Sequence, residues 1–266
     1  MKMAPLALAH DDYGSGPRTL VLIHGGYGDR TVYANQVPYF AGSRRVVTLD
    51  LRGHGETAKP VESYSIGQFA DDAAGLCGEL GVDDADVVGH SMGGVVAVEL
   101  AHRHPGLVRA IATLDSPSII PGWTEAHMGP YTSAIHGSGF REILKEFLDV
   151  ASSPIDDDSR RQQALASIDN LPHHVVTAVW DALIDWDPEP IRVPLLYLDH
   201  GQPNLDYGSL RQLCPQLNVG QTVGAGHRAL QEVPDQVNGM LSRFFDHAEV
   251  LAEHAKRHAG VFSYKS

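Results

Sequence analysis

The sequence predicts an α/β fold: a mostly parallel sheet buried on both faces by helices, with a helical insertion over one end. Three observations predict it. Short apolar runs alternate with helix-length segments along most of the chain. The runs are apolar at successive positions, which suits strands covered on both sides and not the polar–apolar alternation of a half-solvated antiparallel sheet. One stretch, residues 118–190, breaks the alternation with helical patterns and no clear buried strand. Strand–helix alternation of this kind builds parallel sheets through right-handed crossovers.

The predicted strands are, in order, Thr19 to His24 (TLVLIH), Arg45 to Asp50, Ala85 to Val88, Ala110 to Asp115, Pro194 to Asp199 and a weaker run, Val219 to Val223. Helices are expected over Ser65 to Leu80, Ser91 to His104, and Pro234 to about His258. Within the insertion, Phe140 to Val150 and Ser159 to Ile168 carry helical patterns, punctuated by Pro121, Pro130, Pro154, Pro172, Pro188 and Pro190. A chain of 266 residues has room for one to two domains at about 150 residues each. The expected division is a core of residues 1–117 and 191–266, with residues 118–190 as a helical cap rather than an independent unit. No internal repeat or low-complexity tract stands out.

Composition narrows the function classes. Hydrophobic residues make up 43% and charged residues 20%, enough apolar mass for a packed core and too little charge for a disordered chain. The formal net charge of −13 argues against a duplex nucleic-acid binder and against docking on an anionic membrane. Two cysteines, Cys77 and Cys214, can build neither a disulfide framework nor a cysteine-based zinc site, and read as reduced core thiols. The N-terminal MKMAPLALAHDD lacks a signal-peptide pattern, and no apolar run approaches the roughly 18 to 20 residues of a membrane span. The expectation is a soluble, cytoplasmic, enzyme-sized protein.

The strongest chemical signal is Gly89-His90-Ser91-Met92-Gly93-Gly94, which follows a strand and opens a helix. That is the context of a G-x-S-x-G nucleophile elbow. Glycines flank the serine because strand and helix must approach closely around a sharp, strained turn that pushes the hydroxyl outward. His24-Gly25-Gly26 ends the first strand. Acyl transfer needs backbone N–H groups around a developing oxyanion. In elbow geometry one donor is the residue after the nucleophile, Met92, and the second is expected from the loop after the early strand, at Gly26. His227, in Gly224-Ala225-Gly226-His227, follows the last strand and precedes Pro234, and is the expected general base.

Taken together, HGG, then DLRGHGET (Asp50 to Thr57), then GHSMGG, then GAGH resemble the α/β-hydrolase superfamily. The resemblance is good over residues 19–117 and weaker over 194–245. It implies an eight-stranded, mostly parallel sheet with a lid inserted after the sixth strand, and a nucleophile–acid–histidine order that Ser91 and His227 respect. The family's usual acid lies just after the strand PLLYLD in a G-x-x-D pattern, but that position holds Asn204 here. Three carboxylates compete for the role. Asp115 ends the strand before the cap, where some family members carry their acid, and is the preferred assignment. Asp206 lies two residues beyond Asn204 but could simply cap the following helix. Asp199 could lie inside its strand.

These residues predict a serine hydrolase that cleaves a carboxylic ester or lactone through an acyl-enzyme, with Ser91, Asp115 and His227 catalytic and Gly26 and Met92 forming the oxyanion hole. No metal or organic cofactor is expected, and the expected partner is a small-molecule ester or lactone. Trp180 is expected to line the substrate pocket; Trp123 and Trp186 could equally be packing. The alternative on this fold is a cofactor-independent ring-cleaving dioxygenase, which resembles the arrangement in having Ser, His and an acid after the sixth strand.

Overall fold

The computed structural model describes residues 5–201 and 205–258; Asn204 lies outside them. Its sheet has the strands β1 (His10–Tyr13), β2 (Thr19–Ile23), β3 (Arg45–Leu49), β4 (Ala85–His90), β5 (Val108–Leu114), β6 (Leu195–Asp199) and β7 (Leu217–Gln221). Their spatial order is β1-β3-β2-β4-β5-β6-β7. All neighbours are parallel except β1, which runs antiparallel to β3. Among the described residues the sheet therefore has seven strands and not eight, and the strand that precedes the long helical segment is fifth in chain order.

Period-2 alternation explains why these runs fold as they do. Along β2, Val21 and Ile23 join one apolar cluster while Leu20 and Leu22 join another on the opposite face. Helices α2 (Ile66–Glu79) and α3 (Met92–Arg103) cover the first face through Phe69, Ala73, Leu76, Val95 and Val96. The short α1 (Gln36–Phe40) and the long C-terminal helix cover the second through Phe40, Val237, Leu241 and Phe244. Each large aliphatic side chain buried this way contributes about 1.5–3 kcal/mol. The edge strands are less apolar: β1 (HDDY) is mostly exposed, and in β7 only Leu217 is fully buried.

Between β5 and β6 the chain forms α4 (Trp123–His127), α5 (Thr132–His136), α6 (Phe140–Val150), α7 (Asp158–Ser167) and α8 (His173–Ile184). After β6 come α9 (Tyr207–Leu213), α10 (Ala229–Glu232) and α11 (Pro234–His258). Phe140 and Leu144 of α6 and Val175, Val179 and Trp180 of α8 are buried in the same cluster as the face covered by α2 and α3. The segment is thus packed onto the core. Cys77 and Cys214 are free, buried thiols, pushed up by burial to about 11 and about 12. Among the described residues, no helix is long and apolar enough to cross a membrane.

Candidate active site

The strand order turns back on itself between β2 and β4: the chain adds β3 on one side of β2 and β4, β5, β6 and β7 on the other. Open α/β sheets bind ligands at such a point, outside the carboxyl ends of the strands. Gly26 follows β2, Ser91 follows β4, Asp115 follows β5, His200 follows β6 and His227 follows β7. All five line one cavity of about 430 Å³.

Ser91 occupies the turn from β4 into α3 with φ of 51°, a left-handed value costly for a residue with a side chain. The turn is held by close packing at both flanking glycines. A Cβ at Gly89 would meet the Gly93 carbonyl oxygen at 2.2 Å, and one at Gly93 would meet the Ile23 carbonyl oxygen at 2.2 Å. A serine at a helix N-cap ordinarily accepts a bond from the first turn; the Ser91 side chain makes no capping bond. Met92 is the first residue of α3, where an N–H has no intrahelical acceptor. Gly26 faces it: a Cβ there would lie 3.9 Å from that of Met92.

Asp115 also has positive φ, 46°, and is buried at 3% exposure. Its Oδ2 accepts from His227 Nδ1 at 2.5 Å, which leaves Nε2 of the imidazole as the nitrogen available to a substrate. His200 Nε2 also lies 3.3 Å from the same oxygen. Burial pushes the Asp115 carboxyl up, but the bonds from His200 and His227 outweigh it and hold the group below the usual carboxylate range. The Asp115 contact in turn raises the His200 imidazole above its ordinary value.

The other two candidate acids are occupied elsewhere. Asp206 caps α9, its Oδ1 accepting from Ser209 N at 3.0 Å and its Oδ2 from the Ser209 hydroxyl at 2.5 Å. Asp199 ends β6 and accepts from Gly201 N and, at 3.3 Å, from Gln221 Nε2.

Backbone bonds fix His227. His227 N donates to Ala151 O at 2.7 Å, and the His227 carbonyl accepts from His90 Nε2 at 2.7 Å. Burial, aided by neighbouring His227, pulls the His90 imidazole down to about 3, so it stays a neutral donor at physiological pH. Two more buried imidazoles stitch the Gly25–Gly28 loop to the DLRGHGET loop. His24 Nε2 accepts from Leu51 N at 3.0 Å, and His54 Nε2 accepts from Tyr27 N at 3.1 Å. Burial pulls these two down to about 4 and about 3.

The helical segment completes the cavity. Trp180 is buried, donates Nε1 to Thr132 Oγ1 at 3.1 Å, and meets Phe147 edge-on at 6.0 Å. Trp123 also lines the cavity, stacked on His127 at 4.6 Å. Trp186 does not line it; its Nε1 donates to Glu99 Oε2 at 3.0 Å. The wall is mainly apolar, with Met128, Ile143, Phe147 and Leu183 beside the two tryptophans. Among the described residues no group of three or more His, Cys, Asp or Glu could hold a metal ion.

A serine, a buried acid and a histidine stand just past the carboxyl ends of the parallel strands β4, β5 and β7, and residues 18–232 match the sequence profile of the alpha/beta hydrolase fold. The chain belongs to that family. It is 28% identical to the dihydrolipoyllysine-residue acetyltransferase component of the acetoin cleaving system of Pseudomonas putida, over 87% of this chain and 64% of that one. The chain thus spans under two-thirds of that relative's length. It is 26% identical to the sn-1-specific diacylglycerol lipase of Mus musculus, over 91% of this chain and 86% of the relative. Among solved structures, Est816, described as an N-acyl homoserine lactone degrading enzyme, superposes with a TM-score of 0.76 at 26% identity, covering 89% of this chain and 96% of that one.

Within this member of the family, the structure brings Gly26, Ser91, Met92, Asp115, Trp180 and His227 to one cavity. Sequence reasoning missed His200 and His90, and left Trp123 open between pocket lining and packing. His200 directly follows Asp199 at a strand end, the same position class that singled out Asp115. His90 sits within the elbow motif itself, so its place beside the serine was the available signal. Trp123 stayed open because only the packing of the helical segment decides whether a tryptophan there turns to the cavity.

Proposed function

We propose that this protein is a serine hydrolase that cleaves a carboxylic ester or lactone through an acyl-enzyme. The observation that carries the reading is the 2.5 Å bond from His227 Nδ1 to buried Asp115, beside a serine on a strained turn lining the same cavity. Ser91 Oγ attacks the substrate carbonyl carbon as His227 Nε2 takes its proton. The carbonyl oxygen becomes an oxyanion held by the Gly26 and Met92 N–H groups, each worth roughly 10² to 10³ in rate. Collapse breaks the C–O bond, and the proton on His227 passes to the departing alkoxide. Water then attacks the acyl-serine, again through His227, and releases the acid. A lactone yields one hydroxy acid. Asp115 holds the tautomer and stabilises the imidazolium.

Residues 118–190 act as a cap over this site, separate in role from a core of residues 1–117 and 191–266. The apolar wall that the cap contributes favours an apolar acyl group, with Trp180 against it. The relatives named as a lipase and as a lactone-degrading enzyme support the same reaction class. The test is hydrolysis of p-nitrophenyl esters and aromatic lactones by wild type and Ser91→Ala, with oxygen uptake followed in parallel. Serine-dependent acid release without oxygen uptake is expected. Oxygen consumption coupled to substrate loss would instead identify ring-cleaving dioxygenation.

A further inference from the structure

A second cavity, of about 250 Å³, adjoins the first, and the two share Gly26, Tyr27, Leu148 and His227 in their walls. The smaller one lies between α7, the loop after β2 and the stretch from His227 to Gln231. Ser91 and Met92 line only the larger. This asymmetry sorts the two halves of an ester. The carbonyl carbon must sit on Ser91 with its oxygen at the Gly26 and Met92 amides, so the acyl chain extends into the larger, apolar cavity. The departing oxygen must face His227, which supplies its proton, and the group behind it can then extend into the smaller cavity.

The chemistry of the smaller wall differs from that of the larger. Ser152, Arg160, Gln163, Ser167 and Arg228 contribute polar groups to it. The two guanidiniums share one buried carboxylate: Arg160 Nε donates to Asp156 Oδ1 at 2.9 Å and Arg228 Nη2 to Asp156 Oδ2 at 3.3 Å. Asp29, on the opposite wall, is engaged by Thr31 N at 2.9 Å. Two cations and two anions cancel, so the cavity offers no net charge to an anionic ligand. It does offer donors. Gln163, exposed on α7, presents a side-chain amide with two donor hydrogens and an acceptor oxygen. The Ser152 and Ser167 hydroxyls donate within the protein, to Leu148 O at 3.0 Å and to Ala164 O at 2.7 Å, so toward a ligand they act as acceptors, and the wall offers donors and acceptors together, as a polyol does.

We propose that the smaller cavity binds the leaving group, and that this group is a neutral, oxygen-rich alcohol of polyol type. The inference rests on the serine-hydrolase reading. The bond made is the acyl–Ser91 ester, the bond broken joins the acyl carbon to the polyol oxygen, and the serine proton leaves on the polyol by way of His227.

The experiment compares kcat/KM for three octanoate esters that share an acyl group and differ in the alcohol: glyceryl, ethyl and carboxymethyl. Wild type is expected to prefer the glyceryl over the ethyl ester by about tenfold, the effect of one or two good hydrogen bonds. The double variant Gln163→Leu/Ser167→Ala, on the exposed face of α7, is expected to lose most of that preference with the ethyl ester unchanged within about twofold. Equal rates on glyceryl and ethyl esters in wild type overturn the proposal, as does a double variant that lowers both alike. A preference for the carboxymethyl ester overturns the neutral assignment. Ser91→Ala separates the two levels. Ethyl-ester turnover that requires Ser91 but shows no alcohol preference defeats this inference alone. Absence of any Ser91-dependent hydrolysis defeats the hydrolase reading and this inference with it.

Discussion

Two buried carboxylates stand at opposite ends of neighbouring parallel strands, and their partners differ in kind. Asp86, at the start of β4, accepts from Arg44 Nη1 at 2.7 Å and from Arg109 Nη2 at 2.6 Å. Asp115, just past the end of β5, meets two imidazoles, His227 at 2.5 Å and His200 at 3.3 Å. Guanidiniums keep their charge at any physiological pH, so the Asp86 cluster is fixed. It ties β4, β5 and, through the bond from Arg44 Nη2 to Asp246, helix α11 together. Imidazoles change charge near neutrality, and those of Asp115 face a cavity. Burial of an acid therefore does not distinguish scaffold from chemistry; the protonation freedom of its partners and their access to a cavity do.

The comparison breaks or sharpens in four ways, from largest effect to smallest. Ser91→Ala is expected to lower kcat by about 10⁶, as the loss of a serine nucleophile does, with the unfolding midpoint unchanged; steady-state assay and thermal denaturation check both. Asp115→Asn is expected to lower kcat by about 10⁴ with the fold intact by circular dichroism, while Asp206→Asn and Asp199→Asn stay within about tenfold of wild type; near-normal turnover in Asp115→Asn would erase the distinction between the two ends of the sheet. Asp86→Ala is expected to do the reverse. It takes the shared carboxylate from Arg44 and Arg109, leaving them only the bonds to Asp246 and to Phe245 O, and costs about 3 kcal/mol of stability by urea unfolding, with kcat per folded molecule preserved.

The smallest effect is on pH. The His200 imidazole is raised in the folded protein by Asp115. Its stabilising contribution is therefore full below the ordinary histidine value of about 6.5 and is lost as pH rises through the raised folded value. Asp115 is held below the usual carboxylate range, so it remains ionised through that window. His200→Gln is expected to destabilise the protein more at pH 5.5 than at pH 8.5. Urea unfolding at the two values measures this, and an equal penalty at both would remove His200 from the Asp115 cluster.

The fold was legible because its signals are local. Every predicted run became a strand within a few residues, since a buried parallel strand must be apolar at successive positions. β1 was not, because HDDY is short, polar and at an edge, and its place depends on pairing with β3 residues 33 or more positions away. Ser91 and His227, the proposed nucleophile and base, stood out in the sequence because glycines mark the turns that present them. The acid was not settled by sequence, because three strand-end or loop carboxylates satisfy the same local description. What separates them is which strand end faces His227 across the sheet, a tertiary fact. The second imidazole on Asp115 was hidden for the same reason. The alternation of apolar residues could not fix the strand count either, which is seven among the described residues where resemblance implied eight.

The backbone bond from His227 N to Ala151 O joins the His227 loop to the interposed helices at one seam. Gly226 sits at the same seam, where a Cβ would strike Ser153 N at 2.3 Å. Anyone grafting a foreign lid onto this scaffold to change what it accepts would therefore disturb the histidine unless residues 151–153 travelled unchanged with the scaffold. Diversification by recombination has a permitted zone and a forbidden hinge, and here the boundary falls within three residues.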